Sequence, residues 1–245
     1  VTVQGGAAAD SIFLNAATTS SVNAGAGNDT ITIATGAATL ATGTINGGSG
    51  SDTLALTGNT ALSSNLTNVS SIEVLTIANT TTDVGIGSVD GLVAAGATLV
   101  ITTAQTTGIL TFTGTAETDG HFSITGGQAN DALVGGALVD TIDGGSGADY
   151  VVGMAGNDSL IGGDGNDQVI GGRDNDTLTG GAGGDTFYFG SADGAAADLS
   201  AANSGVDTIT DFTATDNLCF NVSALGMTSN VGTMKVATLS SGGAT

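Results

Sequence analysis

Between Gly126 and Tyr188 the chain repeats every nine residues without an insertion: GGQANDALV, GGALVDTID, GGSGADYVV, GMAGNDSLI, GGDGNDQVI, GGRDNDTLT and GGAGGDTFY. The first position is always Gly: Gly126, Gly135, Gly144, Gly153, Gly162, Gly171 and Gly180. The sixth is always Asp: Asp131, Asp140, Asp149, Asp158, Asp167, Asp176 and Asp185. The eighth is always apolar: Leu133, Ile142, Val151, Leu160, Val169, Leu178 and Phe187. Consecutive matches at constant spacing exclude low complexity and mark an architecture of stacked identical units.

Charge narrows what such a stack can do. Of the 245 residues only Arg173 and Lys235 are basic, against 23 acids, for a formal charge of −21. Glu73 and Glu117 are the only glutamates. No basic surface is available to displace counterions from nucleic acid or to dock on anionic lipid. The hydrophobic share is 40% and mean hydropathy is +0.30, so material for a core is present and charge is the obstacle to folding. A fold that needs a multivalent cation follows from that balance. Cys219 stands alone, which leaves metal as the available staple. No run of 18 apolar residues predicts a membrane span, and no ordinary signal peptide opens the chain. The first residues start within what looks like a repeat, which points to a mature product or a fragment of a longer chain.

The nonapeptides resemble the GGxGxDxUx repeat of the RTX family, proteins exported by bacterial type I secretion. Weaker copies are GGAAADSIF from Gly5, AGAGNDTIT from Ala24 and GGSGSDTLA from Gly47, the last two adding Asp29 and Asp52 as candidate ligands. Positions one to six read as turn, with Gly supplying positive φ and close backbone approach. Positions seven to nine read as a short strand whose eighth residue points inward. Two blocks make one right-handed coil, so residues 18 apart stack: Asp131, Asp149, Asp167 and Asp185 on one side, Asp140, Asp158 and Asp176 on the other. Carboxylates about one strand spacing apart, ~4.8 Å, repel unless a cation lies between them.

Calcium suits that gap, since it takes six to eight oxygens in loose geometry, whereas magnesium demands a tight octahedron and zinc prefers His and Cys. The resemblance implies calcium held by the sixth-position Asp of adjacent turns and by backbone carbonyls of the glycine turn, at Gly144, Gly153, Gly162, Gly171 and Gly180. Five inter-turn spaces result, so about five Ca2+ ions or more are expected. The fourth position departs from Gly at Ala129, Leu138 and Asp174, and Met154 replaces a second-position Gly. Asp tolerates left-handed backbone better than Leu, so the Asp140 turn is the weakest match. Asp164 and Asp174 read either as extra ligands or as solvated surface.

The fold class expected is all-β, a right-handed parallel β-roll or β-solenoid with irregular coils before it and a β cap after it. Its divisions are 1–57, degenerate RTX-like coils; 58–125, an irregular Thr/Ser-rich solenoid; 126–189, the regular calcium roll; and 190–245, the cap. In the second, Ser88–Ala95 reads as one short helix with Ser88 as N-cap. In the cap, Asp207–Leu218 resembles the DxIxDFxxGxDxIxL segment that closes the roll in RTX exoproteins. Its Asp207, Asp211 and Asp216 either hold a capping ion or face water. Cys219 reads as a small buried hydrophobe.

Enzyme motifs are missing: His121 is the only histidine, and no HExxH, G-x-S-x-G or Walker lysine is present. The expectation is therefore a non-enzymatic, calcium-dependent structural protein of the bacterial cell surface, extracellular, associating with itself, other surface proteins or polysaccharide. An RTX tail of a secreted protease or lipase is the alternative. An ice-binding solenoid fits less well, because the fifth position (Asn130, Val139, Ala148, Asn157, Asn166, Asn175, Gly184) carries no Thr array.

Overall fold

Short runs of Val, Ile, Leu and Thr bounded by Gly, Ser and Asn set strands of two to six residues among the described residues. In the computed structural model, residues 2–14, 21–34, 43–57, 62–78, 81–104, 107–189 and 205–220 are described. Among them there are strands and turns and no α-helix.

Every strand pairing is parallel and joins one coil to the next, which makes the molecule a β-solenoid. One sheet of ten strands runs from Ser11–Leu14 to Thr208–Ile209. The other wall is a four-stranded sheet that begins with Thr2–Gln4, then an eight-stranded sheet from Leu62–Asn65 to Asn217–Phe220. Along the long sheet, register advances by 19 residues from Ser11 to Thr30, 23 to Thr53, 21 to Val74 and 26 to Val100. From Ser123 to Thr141, Ser159 and Thr177 it advances by 18 each time, and then by 31 to Thr208. The nine-residue period thus appears as an 18-residue coil, with coils of other lengths stacked on both ends of it.

Alternate residues of the strands point inward and form one apolar core. The eighth-position residues stack in two columns. Leu133, Val151, Val169, Phe187 and Leu218 pair in register along one wall. Ile124, Ile142, Leu160, Leu178 and Ile209 do so along the other. All seven eighth-position side chains are fully buried, each contributing about 1.5–3 kcal/mol of transfer free energy. Phe112 and Phe122 meet edge-on at 5.1 Å where the irregular coils pass into the regular ones. At the far end Phe212 lies 6.2 Å from Phe187, and Phe189 stacks on Phe220 at 5.2 Å.

Three local expectations are corrected. Strands of the regular coils, such as Thr141–Ser146 and Ser159–Asp164, extend through the first three positions of the next block, leaving only positions four to six as turn. Pairing merely skips the first glycine: Asp143 aligns with Ile161 and Gly145 with Gly163. Residues 88–95 form turns in place of a helix. Gly91 and Gly96 adopt φ of +83° and +71°, and the Leu92 N–H bonds Val89 O, three residues back. Leu92 and Val93 are drawn into the solenoid core, which a free-standing helix would not allow. Cys219 is exposed, because strand alternation turns Leu218 and Phe220 inward and Cys219 out. Residues 190–204 and 221–245, the rest of the expected cap, lie outside the described residues.

Candidate metal centre

The sixth-position aspartates end each turn just before a core strand, so the solenoid buries them: all seven are 2% exposed or less, as are Asp29 and Asp52. Each accepts through Oδ1 a hydrogen bond from a backbone N–H one coil back. Asp131 N donates to Asp149 Oδ1 at 2.7 Å, Asp149 N to Asp167 Oδ1 at 2.8 Å and Asp167 N to Asp185 Oδ1 at 3.0 Å. On the other side Asp140 N donates to Asp158 Oδ1 and Asp158 N to Asp176 Oδ1, both at 2.8 Å. Both ladders run on into the last coil, where Asp185 N bonds Asp216 Oδ1 at 2.9 Å and Asp176 N bonds Asp207 Oδ1 at 3.0 Å. A third ladder occupies the early coils: Asp10 N to Asp29 Oδ1, Asp29 N to Asp52 Oδ1, and Asp52 N to Glu73 Oε2, at 2.8, 2.7 and 2.7 Å.

The second carboxylate oxygen separates two kinds of turn. In Asp29, Asp52, Asp149, Asp158, Asp167 and Asp185, Oδ2 is buried without a hydrogen-bond partner. In Asp10, Asp131 and Asp140 it accepts the N–H of the block's second residue, Gly6, Gly127 or Gly136, at 2.8, 2.6 and 2.6 Å. Backbone conformation accounts for the difference. Where Oδ2 is orphaned, the second residue has positive φ, as in Gly25, Gly48, Gly145, Met154, Gly163 and Gly181. The fourth residue does too, as in Gly27, Gly50, Gly147, Gly156, Gly165 and Gly183. Where the fourth residue is Ala8, Ala129 or Leu138, neither position takes positive φ, and the turn closes on its own carboxylate. A Cβ penalises left-handed backbone. Asp174 adopts φ +75° and Gly172 +116°, so the Asp176 turn has the open form.

Beside each orphaned oxygen except that of Asp29, whose block begins with Ala24, the first glycine leaves a cradle. A Cβ on Gly162 would stand 2.6 Å from Asp167 Oδ2 and 2.6 Å from the Gly180 carbonyl oxygen one coil on. The same pairing of own-block Oδ2 with next-coil carbonyl recurs at Gly144 and Gly153. Carboxylate and carbonyl oxygens therefore converge where no side chain fits, an all-oxygen donor set suited to a hard cation. Electrostatics agree. Burial, with neighbouring aspartates, lifts the carboxyls of Asp149, Asp158 and Asp167 to about 7, about 8 and about 6. Burial also raises Asp140 to about 6 and moves Asp131 and Asp185 upward, partly offset by backbone N–H donors. A buried row of carboxylates that resists ionisation is one that a divalent ion would relieve.

The nonapeptide-repeat family model, described as the RTX calcium-binding nonapeptide repeat, matches in four copies at residues 21–37, 44–56, 125–160 and 161–194. Over these residues the chain carries RTX-type repeats. Its repeats are calcium-binding repeats, and the two early copies cover the turns of Asp29 and Asp52, whose Oδ2 atoms are orphaned like those of the regular roll. Comparison with curated proteins gives no match.

The chain therefore places Asp149, Asp158, Asp167, Asp176, Asp185, Asp29 and Asp52 in one turn type. The Gly162, Gly171 and Gly180 carbonyls lie beside the Asp149, Asp158 and Asp167 turns, and those of Gly144 and Gly153 beside the Asp131 and Asp140 turns. Asp131 and Asp140 belong to the closed type, in which both oxygens are taken by backbone N–H groups. Asp211 caps the final glycine turn, accepting from Gly180 N and Gly181 N at 2.9 and 2.8 Å. Asp164 is exposed, accepting from Ser146 Oγ at 3.4 Å. Glu73 and Asp10 complete the third ladder and were not among the expected ligands. Gly5-Gly6 flags Asp10 in the sequence, whereas no motif flags Glu73, because the coils around it have changing lengths.

Proposed function

We propose that this chain is a calcium-dependent structural protein of the bacterial cell surface, part of a surface-layer, sheath, filament or adhesin subunit. The observation that supports this reading is the row of buried, unpaired carboxylate oxygens running through successive coils. Such a row opposes folding where calcium is scarce and favours it where calcium is plentiful, because the ion binds the folded chain alone. RTX-repeat proteins are generally secreted, which is consistent with an extracellular site of folding. Six orphaned oxygens and the matching Asp176 turn set the expected load at about seven ions. Millimolar calcium outside the cell would fill sites of the affinity usual for extracellular modules, roughly 10⁻⁴–10⁻³ M.

The role is mechanical, not catalytic, in this reading. His121 bonds the Val139 carbonyl through Nδ1 at 2.7 Å, joining adjacent coils. The fifth-position asparagines are used the same way: Asn130 Oδ1 accepts from Ala148 N and Asn166 Oδ1 from Gly184 N, at 2.8 and 2.9 Å. They tie coil to coil. Self-association through solenoid ends, or calcium bridging of acidic surfaces, supplies assembly. Electron microscopy of the purified chain tests this: ordered polymers or sheets in calcium that disperse in chelator are expected. Monodisperse particles under both conditions would defeat the structural role.

A further inference from the structure

Outside the nonapeptide ladders, acidic side chains converge once among the described residues: Asp90, Glu117 and Asp119 each bring a carboxylate oxygen to within 4.8 Å of the others. They stand on two loops of consecutive coils, since Val84–Gly87 precedes the first loop and its register partner Leu110–Thr113 precedes the second, 26 residues on. The loops are fastened together. Ser88 N bonds Thr113 O at 2.8 Å, Gly96 N bonds Asp119 O at 2.6 Å, and Thr118 Oγ1 donates to Asp90 Oδ1 at 2.7 Å. Asp90 and Asp119 are exposed, but Glu117 is 0% exposed. Its Oε2 accepts Val93 N at 3.1 Å, while Oε1 is buried with no hydrogen-bond partner. A buried carboxylate needs a counter-charge, and no Lys or Arg occurs before Arg173.

We propose that Asp90, Glu117 and Asp119 form a calcium site distinct from the nonapeptide ladders. The donors are all carboxylate oxygens, the hard ligands that calcium accepts in loose geometry, whereas magnesium demands a compact octahedron and keeps most of its waters. The two exposed aspartates give the ion an entry path, and the buried glutamate anchors it to the core beside Val93. The site staples the irregular 26-residue coil to its successor immediately before His121–Thr125, the strand on which the first 18-residue coil pairs. It thereby fixes the edge from which the regular roll is laid down.

Native mass spectrometry of the full chain in saturating calcium tests the site by ion count. Asp90→Asn keeps the acceptor for Thr118, and both Asp90→Asn and Asp119→Asn lie on exposed positions. The double variant is expected to hold one Ca2+ fewer than the parent chain, and an equal count would overturn the proposal. Should the variant misfold, crystals of the parent chain grown with calcium decide the matter through anomalous scattering. A peak among the three carboxylates supports the site, and occupied ladders with no such peak overturn it. A peak there with empty ladders would leave this inference standing and defeat the function proposed above.

Discussion

At the residue scale, two glycine positions carry opposite demands. The first-position glycine is needed for space, so Gly162→Ala drives a methyl group against Asp167 Oδ2 and the Gly180 carbonyl. A cost of about 1–3 kcal/mol is expected, read as a lower Tm in calcium, with reduced calcium affinity because the methyl occupies the cradle. The fourth-position residue decides instead whether the turn opens. Leu138→Gly permits positive φ at that position and frees Asp140 Oδ2 from Gly136 N. The variant is expected to bind one more Ca2+ than the parent chain, counted by native mass spectrometry; an unchanged count would show that the fourth residue does not gate the site.

At the element scale, the strictness of the period determined what was legible. From Gly126 to Tyr188 the sequence showed which aspartates stack 18 residues apart and which residues form the inward column, because equal coils place equal residues in register. It placed the strand boundary wrongly, since glycines that look like turn residues pair directly when the backbones of stacked coils can approach. Before Gly126, coils of 19, 23 and 21 residues carry a similar ladder from Asp10 to Glu73, but unequal spacing hides Glu73 from any motif. Asp207 and Asp216 were visible as a capping motif. Their place on the two ladders was hidden by the 31-residue step from Thr177 to Thr208. The misread helix at 88–95 followed from local propensity, which the buried Leu92 and Val93 override. Equal coils also make a unit that can be removed. Deleting residues 144–161 takes out one 18-residue coil with Asp149 and Asp158 while preserving register. The shortened chain is expected to fold in calcium with two ions fewer and otherwise similar circular dichroism. Loss of folding would mean that the roll is not modular.

At the scale of the whole molecule, the acidic surplus is expected to couple folding to both calcium and protons. The carboxyls of Asp149, Asp158 and Asp167 stand at about 7, about 8 and about 6 in the folded chain, above the ordinary value near 3.8. A raised folded pKa favours folding fully at pH below the unfolded value, and that contribution is lost as pH rises through the folded value. Without calcium, the strand signal in circular dichroism should therefore grow as pH falls from about 8 toward about 5. With calcium the dependence reverses, because protons compete with the ion for the same oxygens. Calcium affinity should then weaken over the same interval, with proton release on binding measurable in weakly buffered solution. A calcium affinity independent of pH there would contradict the assignment of these carboxylates as ligands.

Calcium is expected to complete the fold that the ladder of buried aspartates opposes. Far-ultraviolet circular dichroism of the full chain, titrated with calcium from a chelated start at about pH 8, measures it directly. Little parallel-strand signal in chelator and a cooperative rise at roughly 10⁻⁴–10⁻³ M calcium are expected. A complete strand signal in chelator, unchanged by calcium, would contradict it.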